Sequence, residues 1–366
     1  MIRAIGAGFR KRARLFMAAS SAAVCLCSCQ TPQAPPAKVE PPTPIVEAKP
    51  KPVVEPSPAP AAPIVEPKAE PPRFAGLPKQ AKRLGATAKR ILDDRWQVTL
   101  GERVLTLTEK SRKADLDDTV LFLNEPFKRR KGFFALSDSD FRYTLIPAFA
   151  PVEGTLRSEV IVIDPGHGGS ERGARNDSLG LLEKDLTLDV SYRLKTLLEE
   201  LGYKVLLTRY DDRLVPLEAR TKIANRSNAG IFVSVHFNAA LNLEAIGLET
   251  YVLTPPGAAS TNDQEPGLDA QAWPGNAFDH LNFLLGFQIH KRLIDDLQRT
   301  DRGLKRARFK VLKGLECPGI LVECGFLSHA KEALLVNTPV YRQKLAESLA
   351  KSLDDFSKAH GGDAGS

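Results

Sequence analysis

From about residue 157 onward, short apolar strands alternate with amphipathic helices. The sequence predicts strands at VIVI (160–163, the core of a strand over 159–163), YKVLLTR (203–209), GIFVSVH (230–236), IGLETYVL (246–253), RFKVLK (308–313) and GILVECG (319–325). Helices are predicted at about 183–201, 217–228, 282–297 and 329–357. Strands that alternate with helices favour an α/β fold, here a mostly parallel sheet flanked by helices.

The N-terminus is typical of an export signal. Residues 1–28 hold five basic residues, no acidic residue and an apolar run from Leu15 to Leu26 that is too short for a membrane anchor. The stretch LCSC (26–29) resembles a lipobox, and this resemblance implies cleavage before Cys29 and acylation of its thiol. We therefore expect a periplasmic protein anchored to the outer membrane through Cys29. An ordinary signal that leaves an exported, soluble protein is the alternative.

Two further regions precede the α/β pattern. Residues 29–72 are proline-rich, which predicts an extended, disordered tether. Residues 73–151 predict a small α+β domain, with a short helix at AKRLGATAKRIL (81–92) and a hairpin around Gly101. This pattern is similar to small β-rich domains that accompany cell-wall enzymes, so we interpret it as a positioning or binding domain. The basic run 128–131 is interpreted as a solvated turn, with binding of an acidic polymer as the alternative.

Charge and cysteine usage exclude some function classes. The formal net charge of +7 falls to +2 once the five basic residues of the signal are set aside, which gives little support to nucleic-acid binding. Cys317 and Cys324 flank a predicted strand, whose length is a poor fit to a disulfide. We expect both to be buried thiols.

Polar residues stand at or beside three of the predicted strands. His167 follows the first strand, His236 ends FVSVH, and Glu323 lies within the apolar segment ILVECG. Glu183 opens the first helix of the α/β region. Two histidines and one glutamate can form an open zinc site, and a further glutamate can take the proton of an attacking water. Each residue alone has an ordinary structural explanation, but their joint occurrence favours a metal-dependent hydrolase.

Four motifs in this order, IDPGHGG, LLEKDLTLDV, FVSVHFNA and GILVECGFLSH, resemble those of the zinc-dependent N-acetylmuramoyl-L-alanine amidases of the type-3 amidase family. The resemblance spans about residues 158–357, followed by a tail over 358–366. It implies one Zn²⁺ per chain bound by His167, Glu183 and His236, with Glu323 as the catalytic base and acid. It also implies peptidoglycan as the substrate, cleaved at the amide between N-acetylmuramic acid and the L-alanine of the stem peptide.

Other interpretations remain open at the level of sequence. A zinc carboxypeptidase acting on stem peptides would use the same chemistry, and a non-catalytic wall-binding lipoprotein is the non-enzyme alternative. Asn238 is a candidate substrate-binding residue, although a loop-stabilising role is as good an explanation. We expect Arg220 to fix its helix against the sheet.

The segment 254–279 is longer than the usual connection in this family and rich in Gly, Pro, Asn and Asp. Because it follows the strand after the one that carries His236, we expect it to leave the sheet at the metal edge. We predict a mobile gate over the metal there, with hinge freedom at Gly257, Gly267 and Gly275, on which an activator protein could act. A surface insertion that touches nothing is the alternative.

Overall fold

The computed structural model describes residues 76–150, 152, 155–262 and 270–361. The predicted signal peptide, Cys29 and the tether lie outside the described residues. No helix in the described part of the chain combines the length and the apolar character that crossing a membrane requires. The described residues build a large mixed sheet flanked by helices, which confirms the predicted fold class.

The sheet has eleven strands in the order β1-β2-β3-β4-β5-β14-β13-β15-β12-β8-β11. Its strands are β1 (Thr87–Leu92), β2 (Arg95–Leu100), β3 (Arg103–Thr108), β4 (Lys113–Leu116), β5 (Thr119–Phe122), β8 (Val160–Pro165), β11 (Lys204–Leu207), β12 (Ile231–Asn238), β13 (Leu248–Leu253), β14 (Asp301–Ala307) and β15 (Gly319–Phe326). Two small pairs lie outside it, β6 (Lys128–Arg130) with β7 (Phe133–Ala135) and β9 (Arg175–Asn176) with β10 (Leu181–Leu182).

Helices cover both faces of the sheet. The long helices are α4 (Glu183–Glu200), α5 (Leu217–Arg226), α6 (Asp279–Leu297), α8 (Ala330–Asn337) and α9 (Pro339–His360). The shorter ones are α1 (Leu77–Lys82), α2 (Asp138–Asp140), α3 (Ile146–Phe149) and α7 (Lys310–Lys313), with a π-helical stretch at Phe141–Leu145 and a 3₁₀ turn at Pro274–Phe278. Helix α9 runs to His360, three residues past the predicted end of the catalytic region.

Alternation along β8 explains how the two layers form. Ile161 and Ile163 pack into the larger core with α4, α6 and α9, whereas Val162 faces the smaller core with α5 and α7. Helix α4 presents Leu186, Val190 and further residues at helical spacing to the larger core. A strand buried on both faces must be apolar throughout, as this one is until Asp164.

Two strands of the α/β region, β13 and β14, run opposite to the other four. β11, β8, β12 and β15 pair in parallel, but β13 pairs antiparallel with β15 and parallel with β14. The carboxyl end of β13 therefore lies at the opposite edge of the sheet from His236. The expectation that segment 254–279 leaves at the metal edge is wrong for this reason.

The N-terminal strands continue the same sheet. β1 to β5 form an antiparallel meander, and β5 pairs with β14 through Leu121 and Leu304. The carboxylate of Asp301 on β14 accepts a hydrogen bond from the backbone N–H of Val120 (2.8 Å) and contacts Nε2 of the buried His290 (3.0 Å). Backbone and side-chain hydrogen bonds thus join the meander to the α/β region.

Two local predictions differ from the structure. AKRLGATAKRIL contains the end of helix α1, a turn at Gly85 and strand β1, because Gly85 adopts φ 74° and stops the helix. RFKVLK is not a strand, since its last four residues form α7 and the strand beside β13 is Asp301–Ala307. The hairpin around Gly101 is confirmed, and Cys317 and Cys324 are buried free thiols as expected.

We expect Asp301→Ala to lower the free energy of unfolding by about 2–3 kcal/mol, because the change removes the hydrogen-bond acceptor of the buried His290 and of the Val120 N–H. Urea denaturation followed by circular dichroism measures the change. The matched control is Asp295→Ala, which removes only an exposed ion pair with Lys291 and should stay within about 0.5 kcal/mol of the wild type. Equal midpoints for Asp301→Ala and the wild type would contradict the proposed junction.

Candidate metal centre

The turn after β8 holds His167 in a conformation that most residues avoid. His167 has φ 61°, in the left-handed region, and the next residue, Gly168, has φ 128°. Such a backbone costs free energy unless its surroundings determine it. The carbonyl groups of this turn are accordingly bound by side chains from other elements.

Two buried arginines bind those carbonyls. Arg220 on α5 donates to the carbonyl oxygens of Pro165 (2.7 Å) and His167 (2.7 Å), and to the carboxylate of Asp164 (2.7 Å). Arg209 donates to Pro165 (3.0 Å) and to Gly166 (2.9 Å). The expectation that Arg220 braces its helix against the sheet is thus extended, because it also fixes the backbone that carries His167.

Arg209 also ties the His167 turn to helix α4. Its Nη2 donates to the carbonyl of Lys184 (2.7 Å) and to the hydroxyl of Thr187 (3.1 Å), and that hydroxyl donates to the carbonyl of Gly166 (2.9 Å). Lys184 follows Glu183, the first residue of α4. One side chain therefore sets the distance between two of the predicted metal ligands.

Glu183 joins the two histidines. One oxygen contacts Nε2 of His167 (3.1 Å) and accepts from the N–H of Ala174 (2.6 Å), and the other contacts Nδ1 of His236 (2.8 Å) and accepts from the N–H of Phe237 (3.0 Å). Burial alone would raise the pKa of Glu183, but the two histidine hydrogen bonds outweigh burial and lower this pKa to about 2. The carboxylate is thus held ionised.

Glycines allow these side chains to approach. A Cβ at Gly166 would lie 2.4 Å from Cε1 of His236, and a Cβ at Gly173 would lie 2.4 Å from Oε2 of Glu183. Both distances are well below the shortest separation that a Cβ atom keeps from another heavy atom in proteins. The glycines of IDPGHGG and its continuation are therefore required by close packing around the ligands, as well as by the turn itself.

Glu323 lies beside this cluster with an unused oxygen. It pairs in register with His236 on the adjacent strand, and its Oε2 is buried with no hydrogen-bond partner in the described part of the chain. Burial and the nearby charges of Glu183 and Glu249 raise its pKa well above the usual range. A buried, unpaired carboxylate oxygen is costly, and such groups are typical of functional sites.

A second buried carboxylate, Glu249 on β13, stands next to Glu323 in register. Its Oε1 contacts Nζ of Lys305 (2.7 Å) and Nε of Arg302 (2.6 Å), and its Oε2 accepts from the hydroxyl of Tyr251 (2.6 Å). Asn238, the predicted substrate-binding residue, donates its Nδ2 to the same Oε2 (3.3 Å). Asn238 therefore lies at the edge of the site, in contact with Glu249.

The donor set fits a zinc ion. Ligand atoms of His167, Glu183 and His236 all lie within 4.8 Å of one another, and the rest of the described chain contains no other cluster of this kind. Two imidazole nitrogens and one carboxylate oxygen are a common protein donor set for catalytic zinc, which keeps one position open. The unpaired Oε2 of Glu323 adds an acceptor beside that set.

Sequence reasoning missed several residues at this edge. Asp164, Arg209, Thr187 and the Glu249 cluster were not singled out, although an Asp at the end of an apolar strand is a detectable signal. The four residues that carry the resemblance, by contrast, are brought together as expected.

The described ends of segment 254–279 are packed against other parts of the chain. Carbonyls over 258–261 accept from Arg112 and Arg308, and a Cβ at Gly275 would meet the Leu312 carbonyl at 2.3 Å. Gly275 therefore serves close packing and is not a hinge. Gly267 lies outside the described residues, and an activator acting on 254–279 stays a prediction.

We expect Arg209→Lys to weaken zinc binding by about 10- to 100-fold, because one ammonium cannot bind the carbonyls of both ligand-bearing elements. Competition with a chelator of known affinity measures the change. Arg213→Lys is the matched control, since Arg213 is exposed in the same loop and pairs with the neighbouring Asp211. Unchanged zinc affinity in Arg209→Lys would show that the Arg209 hydrogen bonds do not position the ligands.

Comparisons with known proteins identify the family. A family model described as N-acetylmuramoyl-L-alanine amidase matches residues 161–355. The sporulation-specific N-acetylmuramoyl-L-alanine amidase of Bacillus subtilis (strain 168) is 35% identical over 196 residues, which cover 53% of this chain and 66% of that protein. The amidase AmiA of Escherichia coli (strain K12) is 30% identical over 219 residues, covering 54% of this chain and 75% of AmiA.

Solved structures include similar chains. The N-acetylmuramoyl-L-alanine amidase of Clostridium difficile 630 is 27% identical, with a TM-score of 0.48, and the match covers 56% of this chain and all of that one. The family model spans more than half of the chain and confirms the family that the four motifs indicated. This chain belongs to the N-acetylmuramoyl-L-alanine amidase family.

Proposed function

We propose that this amidase cleaves the bond between N-acetylmuramic acid and the L-alanine of the peptidoglycan stem peptide, with one Zn²⁺ held by His167, Glu183 and His236. Family membership supports the reaction. The observation that carries the residue roles is the three-ligand cluster with the unpaired Oε2 of Glu323 beside it. A zinc ion held by such a set of ligands acts as a Lewis acid: it lowers the pKa of water to about 7 and polarises an amide carbonyl.

Glu323 transfers the proton in this proposal. Its Oε2 accepts a proton from the attacking water as the new C–O bond forms on the amide carbon. The same proton passes to the amide nitrogen as the C–N bond breaks, so the L-alanine leaves as a free amine. The lactyl group is left as a carboxylic acid, which loses the second water proton to solvent, and Glu323 returns to its starting state.

The surrounding residues keep this arrangement fixed. Glu183 holds both histidines from one carboxylate, and the Arg209 and Arg220 contacts hold the His167 backbone. A rigid ligand set needs no rearrangement when charge develops during the reaction, which is a major source of catalysis. The proposal therefore assigns ligand positioning to buried charges and proton transfer to the unpaired Oε2 of Glu323.

We expect Glu323→Gln to retain zinc but lose about 10²- to 10⁴-fold in kcat, because the amide cannot accept the proton. Chelation should abolish activity in the wild type, and added zinc should restore it. The control is His236→Ala, which should lose both zinc and activity. Mass analysis of digested wall material identifies the product, because an amidase releases the intact stem peptide and a carboxypeptidase releases terminal D-alanine. A Glu323→Gln enzyme with near-normal turnover would contradict the assigned mechanism.

We also propose that the protein acts outside the cytoplasm, anchored to the outer membrane through acylated Cys29, with residue 30, a Gln rather than an Asp, directing it there. The support is the LCSC stretch and the basic, acid-free segment before it. The 42 residues from 31 to 72 could extend roughly 130 Å at about 3.1 Å per residue, which would let the enzyme reach the wall.

We expect Cys29→Ser to release the mature protein from the membrane fraction or to leave its signal uncleaved, because serine cannot take the thioether-linked lipid. Fractionation with immunoblotting, alongside metabolic labelling with a fatty acid, measures this. Cys317→Ser, a change to a buried thiol in the catalytic region, is the control and should fractionate as the wild type does. A Cys29→Ser protein that is still labelled with fatty acid would contradict acylation at this residue.

A further inference from the structure

A row of polar residues extends across the sheet from the metal centre. His236 on β12 pairs with Glu323 on β15, and Glu323 pairs with Glu249 on β13. Arg302 lies on the next strand, β14, in the irregular stretch of pairing opposite Glu249. With neighbouring strands about 4.8 Å apart, the backbone of Arg302 is about 10 Å from that of Glu323.

Arg302 is held at two points while its outer donors remain unused. Its Nε contacts Oε1 of Glu249 (2.6 Å), and its guanidinium lies over the ring of Phe326, 4.8 Å from the centroid. Its Nη1 and Nη2 make no hydrogen bond with any other residue in the described ranges, and the side chain is 35% exposed. A guanidinium fixed through Nε and its face presents a preorganised pair of donors, which suits a carboxylate.

The charge of Arg302 is not needed to satisfy Glu249. Lys305 is buried, lies 2.7 Å from the same carboxylate and already neutralises it, and the Tyr251 hydroxyl donates to its other oxygen. Neither cation forms an ion pair with Glu323 within the described part of the chain. The cluster of Glu249, Lys305 and Arg302 therefore carries one positive charge in excess at the edge of the site.

We propose that Arg302 binds a carboxylate of the stem peptide, at the second or third residue from the scissile amide. This inference rests on the proposed function, because it takes the amide to be cleaved beside Glu323. A peptide that extends across the sheet covers about 10 Å in three residues, at about 3.4 Å each. Arg302 then discriminates acidic stem peptides from their amidated forms.

Two muramoyl tripeptides test the proposal, one with free carboxylates at its second and third residues and one with carboxamides there. We expect the wild type to prefer the acidic form by about 10- to 100-fold in kcat/KM, expressed mainly in KM, as the loss of charge-assisted hydrogen bonds implies. Arg302→Ala should remove the preference with little change in kcat on the amidated form. Arg302→Lys, which keeps the charge but not the paired donors, should retain part of it.

Arg292→Ala is the matched control, since Arg292 is a partly exposed arginine that pairs with Asp355 at a distance from the site. It should keep the full preference, and zinc content should equal that of the wild type in all variants. A wild type without preference would overturn the proposal. So would an Arg302→Ala enzyme that keeps the preference, or one that loses kcat equally on both substrates, which would indicate a structural role.

A binding measurement separates this inference from the proposed function. If the wild type cleaves neither tripeptide, the proposed function fails, whereas the inference is then decided by calorimetric titration with the free acidic stem tripeptide. Arg302→Ala should weaken that binding by about 10- to 100-fold. Equal affinities for the wild type and Arg302→Ala would overturn the inference by themselves.

Discussion

The buried ion pair between Asp164 and Arg220 is the interaction on which the candidate metal centre depends. Asp164 ends an apolar strand with no solvent exposure, and besides Arg220 it accepts hydrogen bonds from Thr208 and Ser234. Such a pair adds little stability by itself, because both charges lose their hydration. Its effect is geometric. With its charge balanced, Arg220 can enter the core and donate to the His167 carbonyl, and this hydrogen bond offsets part of the cost of the left-handed backbone at His167.

Much of the site could be predicted from sequence because parallel strands share an edge. His167 and His236 follow or end neighbouring parallel strands, and Glu323 lies on the strand beyond, so their positions follow once the sheet is recognised as parallel. The resemblance to the family supplied the roles of these residues. The contacts that fix them were beyond reach, since Arg209 and Arg220 act on carbonyl groups that no sequence pattern marks.

The direction of β13 and the identity of β14 could not be predicted, for physical reasons. The alternation in LETYVL is the same whether a strand runs parallel or antiparallel to its neighbour, so periodicity identifies the element and not its direction. The strand DRGLKRA has four charged residues among seven, so its sequence does not look like a buried strand. The sequence pattern favours a strand at the more apolar RFKVLK instead. Lys305 and Arg302 are accommodated in that strand by Glu249, more than fifty residues away, and this compensation is visible only in three dimensions.

The reversal of β13 explains why the edge of the sheet beside the proposed metal ligands is charged. Because β13 runs antiparallel to β15, its first residues lie at the edge of the sheet where β15 ends. Glu249 therefore reaches the level of Glu323. A strand in the other direction would place the apolar end of LETYVL there. Once a carboxylate stands at this position it requires cations, and β14, parallel to β13, supplies them from its own first residues. Strand direction thus sets the polarity of the sheet edge beside the candidate site, independently of the residues proposed to bind the metal.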